Sequence, residues 1–195
     1  MTLGIHHRKV LGPISAKSMA TFLFILLCQS AALGQKPPIT DIAFAPDGNS
    51  IVCCSQSGLQ VLKWPDLTSM KQVDVSFDNL HCVIFSPDGK TFAVGGGYPS
   101  EQGIVEIFSW PECKPQTHFS AHDDSVVSLT WQGNRYLTSG SLDRVLKRWD
   151  LLTAKPVRNY EGHSRGVRSA RILATGELVT AGNDHSVRVW DVDTG

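Results

Sequence analysis

Beyond residue 34 the chain is a succession of short runs in which apolar and polar residues alternate, each closed by a turn. A period of two puts alternate side chains on opposite faces of an extended segment, which predicts β-strands. Two such runs end Phe44-Ala45 and Phe85-Ser86, and each is followed by Pro-Asp-Gly, at 46–48 and 87–89. Those residues set up tight turns between antiparallel strands. The stretch Gly182 to Asp191 repeats the scheme, a polar turn and then an alternating strand that finishes on Trp190-Asp191. No helical periodicity longer than a turn follows residue 34, so the predicted fold class is all-β.

The runs recur at a fixed interval. Ala121-His122 returns as Gly162-His163, Ser139 as Thr180, Asp143 as Asp184 and Trp149-Asp150 as Trp190-Asp191, each 41 residues on. Pro46-Asp47-Gly48 and Pro87-Asp88-Gly89 are also 41 apart. Such self-similarity is the mark of stacked structural repeats. Between the second and third repeats the register slips by about five residues, because Gly97 to Glu101 enlarge a loop. Counting from the turns places Leu62 and Phe108, not Trp64 and Trp110, at the position of Trp149 and Trp190. Trp64 and Trp110 are therefore expected as edge or loop aromatics between repeats.

The first 34 residues read differently. Arg8, Lys9 and Lys17 precede an apolar run from Met19 to Cys28, and Ala31 to Gly34 are small residues apart from Leu33. That order predicts a secretory signal peptide over 1–34, cleaved before Gln35. The apolar run is too short for a spanning helix, so no membrane span is expected in the mature chain. On this reading the mature chain is formally −3, with no basic footprint for nucleic acid. Cys53, Cys54, Cys82 and Cys113 would remain in it, with pairing left open and buried thiol the reading for at least one of the adjacent pair Cys53 and Cys54.

With these alignments, residues from about 36 to 195 resemble the WD-repeat β-propeller family. The signature lies in Ala121-His122 with Trp149-Asp150 and in Gly162-His163 with Trp190-Asp191, 27 residues from His to Trp. The first two repeats are degenerate, with Gln35 and Ser76 at the His position, Gln56 and Gln102 at the Asp position, and Leu62 and Phe108 at the Trp position. The resemblance implies four-stranded antiparallel blades at about 36–75, 76–121, 122–162 and 163–195, the last lacking its fourth strand. With the leader it suggests an exported, periplasmic or extracellular, bacterial-type member. It also implies structural hydrogen-bonded tetrads, His122, Ser139, Asp143 and Trp149 in one blade and His163, Thr180, Asp184 and Trp190 in the next. A strand closing the last blade would fall near 27–33, inside the leader, so either self-association through the open edge at Val187 to Trp190 or a piece of a longer chain is expected.

Ser139, His122 and Asp143 have the composition of a nucleophilic triad, but the set occurs twice at one spacing with a Trp attached, which is what architecture requires. No nucleophile elbow surrounds Ser139. Gly95-Gly96-Gly97 lacks the Lys and Ser or Thr of a phosphate cradle. Asp123-Asp124 offers too few oxygens for calcium. No catalytic residue, cofactor or metal is assigned. The function implied is a non-catalytic scaffold for protein partners, contacted through the turns between second and third strands, with Tyr98 on the enlarged loop as the candidate contact. The rival is an enzymatic or cofactor-associated propeller, lactonase-like or quinoprotein-like. It needs acidic or His residues converging on a central channel, where the first strands offer mostly Ile42, Phe44, Val83, Phe85, Leu129 and Trp131, with His81 and Arg168 the exceptions.

Overall fold

The computed structural model describes residues 37–56 and 58–195. The leader expectation, its cleavage before Gln35 and the closing strand near 27–33 fall on residues outside those described. Among the described residues there is no helix, and the chain forms fifteen strands in four antiparallel sheets. The first sheet holds β1 (Ile39–Phe44), β2 (Ser50–Ser55), β3 (Gly58–Lys63) and β4 (Ser69–Val73). The second holds β5 (Leu80–Phe85), β6 (Thr91–Tyr98), β7 (Gln102–Ser109) and β8 (Pro115–His122). The third holds β9 (Val126–Gln132), β10 (Tyr136–Ser141), β11 (Leu146–Asp150) and β12 (Lys155–Tyr160). The fourth has three strands, β13 (Val167–Ile172), β14 (Leu178–Gly182) and β15 (Val187–Trp190). Within each sheet the strands follow one another in chain order as a meander, the four-stranded blade of a propeller.

The turns explain the meander. Asp47 caps the first hairpin by accepting the amides of Asn49 and Ser50 on Oδ1, at 2.7 and 3.1 Å. Asp88 plays the same part in the second, where Oδ1 accepts the Ser86 hydroxyl and the Lys90 amide. Arg144 and His185, one period apart, take positive φ of 80° and 62° in the β10–β11 and β14–β15 turns. His185 is an exposed turn residue.

The cores lie between blades rather than within them. Leu59 and Val61 of blade 1 pack with Phe77, Leu80 and Val83 of blade 2. Val105 and Ile107 of blade 2 pack with Val126, Leu129 and Trp131 of blade 3. Leu146 and Tyr160 of blade 3 pack with Val167, Ala170 and Leu178 of blade 4. A sheet buries an apolar face only against another layer, so consecutive blades stabilise one another. This corrects the expectation for the first strands, because Val83, Leu129 and Trp131 are buried in these clusters. Trp64 and Trp110 are loop aromatics as expected, in the turns after β3 and β7, but their ring contacts are within a blade. Trp64 stands edge-on to Phe44 at 5.3 Å, and Trp110 meets Phe85 at 5.2 Å, so each packs on the first strand of its own blade.

Polar links stitch the same seams. The Val83 amide donates to Asp41 Oδ2 at 3.0 Å, and the Ala170 amide donates to Ser128 Oγ at 2.9 Å. Arg148, buried on β11, donates to the Val192 carbonyl and to Asp193 Oδ1 at 2.8 Å, with its guanidinium 4.2 Å from the centre of the Tyr136 ring.

Candidate functional site

Two hydrogen-bonded sets dominate the polar interior. In blade 3, His122 ends β8, Ser139 lies on β10, Asp143 in the turn after it and Trp149 on β11. His122 Nδ1 is 2.8 Å from Asp143 Oδ2 and Nε2 is 2.8 Å from Ser139 Oγ, while Trp149 Nε1 donates to Ser139 Oγ at 2.9 Å. Blade 4 repeats the set. His163 Nδ1 is 2.9 Å from Asp184 Oδ2, Nε2 is 2.8 Å from Thr180 Oγ1, and Trp190 Nε1 donates to Thr180 Oγ1 at 2.9 Å. With Nδ1–H donated to the carboxylate, Nε2 accepts the hydroxyl proton and the hydroxyl oxygen accepts from Trp, so each buried member is satisfied.

The carboxylates also hold backbone. Asp143 accepts the amides of Asp123 and Val145 at 3.2 and 2.9 Å. Asp184 accepts those of Ser164 and Ser186 at 3.0 and 3.1 Å, with the Ser186 hydroxyl added. Each Asp thus ties the loop leading into its blade to the turn between second and third strands. Burial works against the ionised form, but the hydrogen bonds outweigh it and hold Asp143 below the usual carboxylate range, and Asp184 well below.

What the sets can do chemically follows from access. Ser139 is fully buried, and its hydroxyl is engaged by His122 and Trp149. A nucleophile must reach a reacting carbon beside an oxyanion site. Neither Ser139 nor Thr180 presents its oxygen to solvent.

The enlarged loop is a continuation of a hairpin. β6 and β7 run on to the pair Tyr98 and Gln102, and the Ser100 amide at the tip donates to Asp124 Oδ1 of blade 3 at 3.0 Å. Gly97, at φ 125°, and Gly103 permit this closeness, since a Cβ on Gly103 would lie 2.2 Å from the Asp124 carbonyl. Tyr98 is half-buried. His81 and Arg168 line a cavity of about 420 Å³ along the first strands, with Asp41 and Arg171. Burial, then the Arg168 charge, lowers the His81 pKa. Among the described residues no cluster of three or more His, Cys, Asp or Glu could hold a metal ion.

One pairing escaped the sequence reading. Glu106 is buried on β7 and accepts the Ser76 amide and hydroxyl at 2.9 and 3.0 Å. Ser76 stands at the His position of blade 2. The signal was available, since Glu106 interrupts the apolar run Ile104 to Phe108.

A meander of four strands, repeated with a His-Ser/Thr-Asp-Trp set at one period, defines a WD-repeat propeller protein. The chain belongs to that family: the profile of the WD domain, G-beta repeat, matches residues 28–59, 113–150 and 154–191. The chain is 30% identical over 129 residues to nuclear distribution protein PAC1 of Fusarium vanettenii, covering 60% of this chain and 28% of that one. It is 28% identical over 145 residues to nuclear distribution protein nudF of Aspergillus niger, covering 71% and 32%. It is 35% identical over 71 residues to ribosome biogenesis protein YTM1 of Saccharomyces cerevisiae, covering 36% and 15%. The chain spans about a third or less of these curated relatives. Among solved structures, that of U3-55K superposes with a TM-score of 0.71 at 25% identity, covering 82% of this chain and 50% of that one.

These findings correct the expectation of an exported, periplasmic or extracellular protein of bacterial type. The relatives are fungal proteins named for nuclear distribution and ribosome biogenesis. The family match itself opens at residue 28, within the stretch read as a leader. Among the described residues no helix is long and apolar enough to cross a membrane.

Proposed function

We propose that the chain is a non-catalytic platform for protein partners, built of four blades divided near residues 75, 121 and 162. The observation that supports it most is the occupancy of the two sets. Their hydroxyls and imidazoles are consumed in binding one another, and what they hold in place is a row of turns at the surface. The turn at 142–144, the turn at 183–185 and the hairpin tip at 97–102 present polar and aromatic side chains on a backbone anchored by Asp143, Asp184 and Asp124. A rigid scaffold carrying variable turns suits recognition, because little is lost in ordering it on binding. None of the relatives described above is named for a catalysed reaction.

Affinity capture with the full chain tests this, read against a Tyr98→Ala, Arg144→Glu, His185→Glu variant. The expected result is a stoichiometric protein partner lost from the variant while its thermal midpoint is unchanged. Hydrolytic turnover that disappears in Asp143→Asn would overturn the proposal.

A further inference from the structure

The turns between second and third strands and the loops leading into the blades lie at one end of the sheets and form a continuous rim, whose charge changes sign at blade 3. Backbone links run from turn to turn. The Ser100 amide donates to Asp124 Oδ1 at 3.0 Å, Leu142 to the Ser125 carbonyl at 3.1 Å and Asn183 to the Gly166 carbonyl at 2.8 Å. Gly166 also lies against Leu142, where an added Cβ would come within 2.9 Å of the Leu142 Cα. Glu101, Asp123 and Asp124 occupy the stretch of rim from the 97–102 hairpin to the loop entering blade 3. Arg144, Arg165 and Arg168 occupy the next stretch, across the seam between blades 3 and 4, and all three are exposed. The segregation runs through the chain, with eight acidic and two basic residues from Asp74 to Asp124 but three and eight from Leu142 to Arg171. The whole sequence is formally neutral, so the basic stretch does not follow from an overall excess of charge.

The fold leaves these arginines to something outside it. Arginine ion pairs among the described residues join Arg135 to Asp150 and Arg148 to Asp193, and none reaches Arg144, Arg165 or Arg168. Asp143 and Asp184, in the same turns, are committed to His122 and His163 and to backbone amides. Arg168 Nε donates to Asn183 Oδ1 at 2.9 Å, which steers the guanidinium while its terminal nitrogens keep the fork that pairs with a carboxylate. Arg144 sits at φ 80°, a left-handed conformation that glycine adopts more readily, so its turn carries a long cationic side chain where the backbone favours none.

We infer that the rim across blades 3 and 4 binds an acidic peptide segment. This rests on the reading of the chain as a platform for protein partners and names the chemistry of one of them. Carboxylates along the peptide pair with Arg144, Arg165 and Arg168, and the field of the basic stretch steers them there. A nucleic-acid strand suits the rim less, because its unbroken row of phosphates would also run onto Glu101, Asp123 and Asp124. A peptide can carry neutral or basic residues at that point.

Fluorescence anisotropy with the full 195-residue chain and a fluorescein-labelled peptide of alternating glutamate and glycine, in about 0.15 M salt, tests the inference. The expected result is saturable one-to-one binding that weakens about tenfold or more in Arg144→Glu, Arg165→Glu. Lys90→Glu, Lys114→Glu makes the same change of charge on turns at the opposite end of the sheets and should weaken binding no more than about twofold. Arg144→Gln, Arg165→Gln removes the charge without reversing it and should fall between the two. All three variants alter exposed side chains, so their thermal midpoints should match the wild type. Failure of the peptide to bind, an equal loss in the two glutamate variants, or equal affinity for a peptide of lysine and glycine would overturn the inference. Tighter binding of a single-stranded oligouridylate, lost in Arg144→Glu, Arg165→Glu, would overturn it in favour of RNA. A protein partner captured by the full chain and retained by that variant would overturn it too, and would leave the platform reading standing.

Discussion

Blades 2 and 3 stand side by side and fill the same slot with different chemistry. In blade 3 the space under the third strand is taken by Trp149, Ser139 and His122, joined by hydrogen bonds and anchored on Asp143. In blade 2 the positions of Trp149 and Ser139 are held by Phe108 and Val94, and Phe108 stacks on Phe92 at 5.2 Å with the rings 11° apart. The loop leading into blade 2 is fastened by Glu106 on Ser76 instead of by Asp143 on Asp123. One backbone therefore accepts a polar network or an apolar stack, provided that whichever is buried is satisfied or close-packed. The polar version fixes two segments of backbone through one carboxylate, whereas the apolar version fills volume and needs a separate fastener.

The largest way to test this contrast is to remove the stack. Phe92→Ala should cost about 3–5 kcal/mol, the usual range for a buried aromatic truncated to a cavity, and denaturant melts read it directly. Asp143→Ala should cost less, about 1–3 kcal/mol, as His122 and the amides of Asp123 and Val145 lose an acceptor. The two costs should add, since the residues share no partner, and strong coupling would show that the slots are not independent. The smallest effect is reached by pH. Asp143 and Asp184 titrate lower when folded than unfolded, so their contribution is complete above the unfolded carboxylate range and is lost as pH falls through the folded values. Melts should accordingly fall modestly below about pH 6.5, where burial of His81 makes the unfolded chain bind its proton first, and decline further below about pH 4 as these carboxylates are protonated. Asp143→Asn should flatten that decline.

Much of the architecture was legible because one period runs through the chain. Repeated turns such as Pro46-Asp47-Gly48 and Pro87-Asp88-Gly89 give the meander, and the common period gives the order of the blades. For the candidate site, the period says which residues recur, and only coordinates say what each one touches. Glu106 shows why. A charged residue in a strand reads as solvent-facing, and its partner Ser76 is 30 residues away. The first strands misled in a related way. Alternation reveals two faces but not what lies beyond each, and the side chains assigned to a channel pack against the neighbouring blade. At the N-terminus, a basic and then apolar run obeys the pattern of a leader, and pattern alone could not show that the family match extends into it.

The cysteines give the molecule an uneven chemical map. Among the described residues all four are buried thiols, Cys53 and Cys54 on β2, Cys82 on β5 and Cys113 in the β7–β8 turn. Burial makes them weaker acids, raising the pKa of Cys54 to about 11 and that of Cys82 well above its ordinary value, so little thiolate forms at neutral pH. Every one belongs to the half of the chain that lacks the His-Asp sets. With Cys28 replaced by Ser, a thiol reagent is therefore a stopwatch for blades 1 and 2 alone, recording how often the apolar pair breathes while the two hydrogen-bonded blades stay silent.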